Sequence, residues 1–327
     1  MNKLFVVIPA LNEENLILKT LDSLSRQTRK DFSVIIVDNG STDNTKNLIL
    51  KYSESSIFPI ILLNEQKSGV GYARNSGSLK AIEMGAIYIS GTDADTLLPK
   101  NWVESIYNGF KDDKYDLLSG ECDPFLKIKL DNNKAQFVLD ARSQLFQKVK
   151  PYFRGANFAI TSKMFIKSGG FIQPLTKDRK PAPGEDGALE LSALKRGGKI
   201  CGCLATVFPH PRRYISNLQK INEFKGSVHE GGIVTQVRDE DNLEKYLKDI
   251  PAEVIDSFLS KIVVTLFNEF IIEIYKNPVL NKIYWKKSLA LLKPFTKAEI
   301  EKDVSTNTDK SLLWLKYKDS FFSNLNS

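Results

Sequence analysis

The chain has 327 residues, 42% hydrophobic and 26% charged, values that exclude a short peptide, a collagen-like fibre and a wholly disordered chain. Its 46 basic and 39 acidic residues give a formal net charge of +7, and the excess is uneven: residues 141 to 225 carry 16 Lys and Arg against 5 Asp and Glu. The rest of the chain is net acidic, so an anionic ligand is expected to meet the middle of the sequence. Three cysteines and two histidines are too few for a disulfide framework or a Cys/His zinc site, and reduced thiols in a cytoplasmic protein are expected.

The N-terminal apolar run, LFVVIPAL, is too short for a signal peptide and reads as a first strand. Leu4 to Pro9, Ser33 to Val37, Pro59 to Leu63 and Ala86 to Ser90 are apolar almost throughout, as strands buried on both faces should be. Amphipathic stretches separate them: Glu13 to Gln27, Asp43 to Tyr52 and Gly69 to Met84. Ser41 and Thr42 suit the start of the second helix, and Pro99 suits the first turn of one running from Trp102 to Phe110. This alternation predicts an α/β protein with an open, mostly parallel sheet and ligands outside the carboxyl ends of its strands.

From about Asp112 the rhythm is irregular. Helices are expected around Ala135 to Gln147 and Asp186 to Arg196, with a strand over Lys199 to Phe208. The last ninety residues read as helices, with Ile255, Phe258, Ile262, Leu266 and Phe270 at helical spacing. The most apolar late stretch, Phe258 to Tyr275, holds Lys261, Glu269 and Glu273, so no membrane span is expected.

Chemistry-bearing residues gather where the strands end. The first strand runs into Pro9-Ala10-Leu11-Asn12-Glu13-Glu14, the second into Asp38-Asn39-Gly40-Ser41-Thr42-Asp43, and the fourth into Gly91-Thr92-Asp93-Ala94-Asp95-Thr96. In extended backbone, residues two apart point the same way, so Asp93 and Asp95 are expected to face one site. Two carboxylates without a local cation repel, and Mg²⁺ or Mn²⁺ shared with substrate phosphates removes that conflict. An Asp-x-Asp on a surface turn is otherwise commonly just solvated. Gly69-Val70-Gly71-Tyr72-Ala73-Arg74 opens like a dinucleotide fingerprint, but Arg74 stands where the third glycine belongs and the run follows the third strand. A nucleotide phosphate or base near a glycine-rich helix start, with Arg74 adding charge-assisted bonds, is the reading that remains.

The segments VVIPALNEE, IIVDNGSTDNT, GVGYARNSG and GTDADTLLPKNW, in this order and spacing, resemble the nucleotide-binding half of inverting family-2 glycosyltransferases with the GT-A fold. Arg154-Gly155-Ala156-Asn157-Phe158-Ala159, Gly169-Gly170-Phe171 and Gly184-Glu185-Asp186-Gly187-Ala188 extend the resemblance to about residue 210. It implies a GT-A domain whose nucleotide-sugar half is residues 1–110 and whose acceptor and catalytic-base half is 111–235, followed by a helical extension over 236–327. It implies that Pro9, Leu11, Glu13 and Asp38 line the nucleoside pocket, that Arg74 lies near base or phosphates, that Asp93 bonds the ribose and that Asp95 holds the metal. Asn39 replaces the second member of the family's frequent Asp-Asp pair, which puts a uridine preference in question, because an amide both donates and accepts.

Asp186 matches the family's catalytic carboxylate, the general base for an acceptor hydroxyl attacking an anomeric carbon. Glu185 is the competing base, and helix capping is the competing role for both. His210 stands as a third metal ligand, with His229 a weaker rival; Arg212 and Arg213 could meet the diphosphate or an anionic acceptor. The expected activity moves a sugar from a nucleoside diphosphate sugar to a saccharide or lipid-linked saccharide, in surface polysaccharide or glycolipid assembly. The expected place is the cytoplasm, with peripheral contact at the inner face of a membrane compatible and nucleic acid not expected as a partner. A sugar-nucleotide pyrophosphorylase would need a glycine-rich Arg and Lys loop after the first strand, which Asn12-Glu13-Glu14 is not. A non-catalytic sugar-nucleotide sensor would have no use for Asp186.

Overall fold

The computed structural model describes residues 3–122, 133–151, 153–210, 263–307 and 309–326. In chain order the first part contains β1 (Leu4–Ala10), α1 (Ile17–Ser25), β2 (Phe32–Asp38), α2 (Thr45–Ser53), β3 (Ile60–Asn64), α3 (Val70–Glu83), β4 (Tyr88–Gly91), β5 (Thr96–Leu97) and α4 (Trp102–Phe110). Then come β6 (Leu117–Cys122), α5 (Asn133–Lys148), β7 (Phe158–Thr161), α6 (Ser162–Ser168), α7 (Glu185–Lys195) and β8 (Ile200–Pro209). The chain divides into two compact units, Met1–Pro124 with Pro151–His210, and Phe125–Lys150 with Pro211–Ser327.

The first unit holds one sheet in the order β3-β2-β1-β4-β7-β6-β8-β5. Its β3-β2-β1-β4 half is parallel throughout, as the alternation of strands and helices predicts. Beyond β4 the directions mix: β7 runs antiparallel to β4 and β6, β8 parallel to β6, and β5 antiparallel to β8. β1 explains why these strands read as unbroken apolar runs. Leu4, Val6 and Ile8 face a core shared with α1 and α4 (Ile17, Leu21, Trp102, Ile106), while Phe5 and Val7 face a second core with Ala73, Ala81, Phe158 and Phe165. Both faces are dry, so neither offers a polar alternation.

Helix α3 reaches the sheet through small residues. A Cβ at Gly77 would lie 2.5 Å from Val7 Cγ1 and 2.9 Å from Val37 Cγ2, so glycine sets the distance between helix and sheet. Four elements are absent from the sequence expectation: β5, β6, β7 and α6. β6 and β7 are short, and β6 reads LLSGEC, with two apolar residues before Ser119, Gly120 and Glu121. Their place is fixed by Asn157, fully buried, whose amide accepts from Trp102 Nε1 (2.9 Å) and donates to the carbonyls of Glu121 (2.8 Å) and Ala205 (3.0 Å). One side chain thus ties α4, β6 and β8 together.

The second unit is helical in its described residues. Asn277 caps the helix Pro278–Ala290 by accepting from Val279 N (3.0 Å) and Leu280 N (3.3 Å), and Thr296 forms a reciprocal capping box with Glu299 at the head of Lys297–Thr306. The last helix, Lys310–Asn326, packs Tyr317 and Phe321 around Phe267. Lys148 at the end of α5 donates to the Leu325 carbonyl at 2.6 Å. Leu266 and Phe270 are buried as their spacing predicts; Ile255, Phe258 and Ile262 lie outside the described residues. Among the described residues no helix is long and apolar enough to cross a membrane.

Candidate active site

The carboxyl ends of β1 and β2 lie side by side because the two strands pair in register, Ala10 opposite Asp38. Their polar loops interlock: Asn12 N donates to Ser41 Oγ (3.0 Å), Thr42 N to Asn12 Oδ1 (2.8 Å), and Glu13 N to Thr45 Oγ1 (2.7 Å). Glu13 is buried, and its carbonyl accepts the first amides of α1 from Leu16 and Ile17. Pro9 ends β1 partly buried, and Leu11 stands 49% exposed. Asp38 is buried and accepts from Ser41 N at 3.2 Å.

Asn39 has work inside the fold. Its Nδ2 donates to the carbonyls of Glu65 (3.0 Å) and Lys67 (2.8 Å), and its Oδ1 accepts from Gly69 N (2.9 Å). An aspartate could not donate to two carbonyls, so the amide is demanded by the loop entering α3. The start of α3 is occupied as well: Gly71 N donates to Oε1 of the buried Gln173 (2.8 Å), and a Cβ at Gly69 would lie 2.5 Å from that oxygen. No sequence signal marks Gln173, which sits in a loop 102 residues away.

Arg74, one turn into α3, is buried at the centre of a charged cluster. Its Nη2 donates to Asp93 Oδ1 at 2.6 Å and its Nη1 to Glu185 Oε1. Gly155 covers the guanidinium so closely that a Cβ there would lie 2.2 Å from it. Gly155 N in turn donates to Asp186 Oδ2 (2.9 Å), while Asp186 Oδ1 accepts from Gly187 N (2.7 Å). Segments far apart in sequence, around residues 74, 93, 155 and 185, therefore converge on one guanidinium. Burial alone would lower the Arg74 pKa, but Asp93, Glu185 and Asp186 outweigh it and raise the pKa, keeping the guanidinium charged. Burial pushes the Glu185 carboxyl above its usual range, with Arg74 opposing.

The Asp93–Thr96 segment closes a turn, Thr96 N donating to the Asp93 carbonyl at 3.3 Å, so the two-residue alternation of extended chain does not relate Asp93 to Asp95. Three anchors hold this turn. Thr20 Oγ1 donates to the Ala94 carbonyl (2.8 Å), Arg74 takes Asp93, and His210 N donates to the Asp95 carbonyl (2.9 Å). That last bond extends the β5–β8 ladder, in which Thr96 faces Pro209. It puts His210 opposite the buried Asp95.

No three His, Cys, Asp or Glu side chains gather as a metal-binding set among the described residues. The cluster sets three carboxyl groups, Asp93, Glu185 and Asp186, around a single arginine. Asp95 and His210 offer one carboxylate and one imidazole on facing positions. Two protein donors suit an Mg²⁺ or Mn²⁺ whose shell is completed by phosphate oxygens and water, so the residues present fit such an ion. Arg212, Arg213 and His229 lie outside the described residues.

A family model described as glycosyl transferase family 2 matches residues 5–173. Poly(ribitol-phosphate) beta-N-acetylglucosaminyltransferase TarP of Staphylococcus aureus is 34% identical over 125 residues, 37% of this chain and 37% of that protein. Glycosyltransferase GlyG of Streptococcus pneumoniae is 27% identical over 115 residues, 35% of this chain and 37% of that protein. The crystal structure of S. aureus TarS has a TM-score of 0.50 at 14% identity, covering 99% of this chain and 55% of that one, a likeness of fold. Among the curated relatives it matches, the chain spans 16% of the length of GlyA of S. pneumoniae and 54% of a Rickettsia prowazekii glycosyltransferase, RP339. With more than half of the chain inside the family match, which takes in β1 to β7 and the strand-end loops, the protein belongs to glycosyl transferase family 2 and has a GT-A-like fold.

Proposed function

We propose that the protein is an inverting glycosyltransferase that moves a sugar from a nucleoside diphosphate donor to a hydroxyl of a saccharide or lipid-linked saccharide, with Asp186 as general base. The observation that carries this reading is the setting of Asp186. Both its carboxylate oxygens accept backbone amides, from Gly155 and Gly187, at the first turn of α7, and the side chain stays half-buried rather than sealed. Such a carboxylate is held in one orientation and left partly open to a substrate. Glu185 beside it is buried and tied to Arg74, which supports Asp186 rather than Glu185 as the base.

In the proposed reaction the acceptor oxygen attacks the anomeric carbon as the bond from that carbon to the diphosphate breaks. The acceptor proton passes to Asp186, and a single displacement inverts the configuration. Pro9, Leu11, Glu13 and Asp38 border the nucleoside, and Asp93, positioned by Arg74, reaches the ribose. Asp95 and His210 would hold Mg²⁺ or Mn²⁺, whose charge offsets that of the departing diphosphate. The process we assign is surface polysaccharide or glycolipid assembly at the cytoplasmic face of a membrane.

Asp186→Asn is the test. Transfer from the productive member of a nucleotide-sugar panel should fall by roughly 10²- to 10⁴-fold, while the donor still raises Tm as in the wild type. Equal loss of donor binding and of transfer would remove Asp186 from the role of base.

A further inference from the structure

The stretch between Phe171 and Gly184 has no part in the chemistry above, yet it is built with care. It forms a short hairpin in which Leu175 bridges Pro181, Thr176 N donates to the Lys180 carbonyl (2.8 Å) and Ala182 N to the Pro174 carbonyl (2.8 Å). Its turn is closed by Arg179 N on the Thr176 carbonyl (2.9 Å) and by Lys180 N on Thr176 Oγ1 (3.1 Å). Arg179 sits at φ +58°, a left-handed conformation that costs a non-glycine residue on the order of 1 kcal/mol and persists only where surrounding bonds enforce it.

The base of the hairpin is pinned by Gln173. Its Nε2 donates to the carbonyls of Pro174 (2.9 Å) and Ala182 (2.7 Å), one on each arm, while its Oε1 accepts Gly71 N at the start of α3. Phe171 N adds a bond to Asn75 Oδ1 of the same helix (3.1 Å). The hairpin is thereby fixed to α3 and runs directly into α7, whose first turn carries Asp186.

Its tip is Lys177, Asp178, Arg179 and Lys180, all exposed, and none of the three cations forms an ion pair among the described residues. Arg74, by contrast, is enclosed by Asp93 and Glu185. A phosphate near Asp186 therefore meets open positive charge on this tip, not on the buried arginine. Lys180 is six residues before Asp186, within about 20 Å by chain length alone, so one extended acceptor can reach both.

We propose that this hairpin is an anion subsite for the acceptor, engaging phosphate groups on a chain whose reacting hydroxyl is presented to Asp186. The inference rests on Asp186 being the base that faces the acceptor. The donor side is served by the strand ends of β1, β2 and β4; the hairpin belongs to the segment that delivers the base. Lys177, Arg179 and Lys180 would meet successive phosphodiesters of an extended polyol or sugar phosphate.

A binding measurement on the full chain tests this without requiring turnover. A soluble poly(glycerol phosphate) oligomer should bind the wild type, more weakly as salt rises from about 0.05 to about 0.5 M, and a neutral oligosaccharide of equal length should bind far less. Replacing the three cations (Lys177→Glu, Arg179→Glu, Lys180→Glu) should weaken oligomer binding roughly tenfold or more. The Tm shifts given by nucleoside diphosphates should stay unchanged. Arg179→Gly, which suits the positive φ, should keep the fold and give a smaller loss of the same kind. Unchanged oligomer affinity in the triple variant overturns the proposal. Parallel loss of nucleoside diphosphate binding overturns it by placing the hairpin on the donor. Loss confined to adsorption on phosphatidylglycerol vesicles overturns it in favour of a membrane contact. If Asp186→Asn leaves transfer intact, the assigned base fails while the oligomer measurement still reads out.

Discussion

Two regions of the candidate site are built on opposite principles. At the ends of β1 and β2 the loops hold each other by single hydrogen bonds from backbone amides to side chains about thirty residues apart, ranging from exposed to buried. Around Arg74, itself buried, the partners are ionisable, buried (Glu185) or half-buried (Asp93), and drawn from segments up to 111 residues apart. Each bond of the first kind exchanges for one with water at a small net gain. The second kind stands or falls as a set, because removing one charge leaves the others buried without their counterpart.

Arg74→Met would show the difference most strongly. It leaves Glu185 and Asp93 without their cation, and the loss of stability should be about 3–5 kcal/mol, read from denaturant midpoints. A loss near 1 kcal/mol would mean the cluster is as loosely coupled as the strand-end loops. Asn39→Asp probes the first region at a buried amide that serves three bonds. A carboxylate facing the carbonyls of Glu65 and Lys67 should cost about 2 kcal/mol, and a neutral result would show that the loop into α3 rearranges freely.

The smallest effect is one of pH. Because burial raises the Glu185 pKa, the folded protein holds that proton above the usual 4.5 at which the unfolded chain releases it. Stability from this group is present below 4.5 and is lost as pH rises through the raised value. Glu185→Gln has no proton to lose, so its stability should gain on the wild type between pH 4.5 and 7. Parallel curves for the two proteins would show that Glu185 ionises as it does in the unfolded chain.

The same contrast governs what could be read from the sequence. β1 to β4 are legible because each is an apolar run that ends in a polar loop, a pattern written in adjacent residues, even in β3, which is half-buried at the sheet edge. The strand-end loops follow from it. β6 and β7 are hidden because their places depend on Asn157, Ser119 and Gly120, where a Cβ on Gly120 would lie 2.3 Å from the Asn157 amide. Asn39 reads from the sequence as a base contact, since nothing local shows the two carbonyls it must satisfy. Arg74 likewise reads as a phosphate contact, because its partner Glu185 lies at a separation that no periodicity or motif records. Gln173 left no trace at all: a glutamine between Ile172 and Pro174 looks like any loop residue.

The smallest strand ties one corner of the site to the core. β5 is two residues long, and its pairing with β8 keeps His210 against the Asp95 backbone. A ladder that short has few bonds of its own, but Ala94 and Leu98 on either side of it are buried in the core shared with α1 and α4, so opening it disturbs that core as well. The position of His210 against Asp95 is therefore tied through two backbone pairs to the packing of α1 and α4.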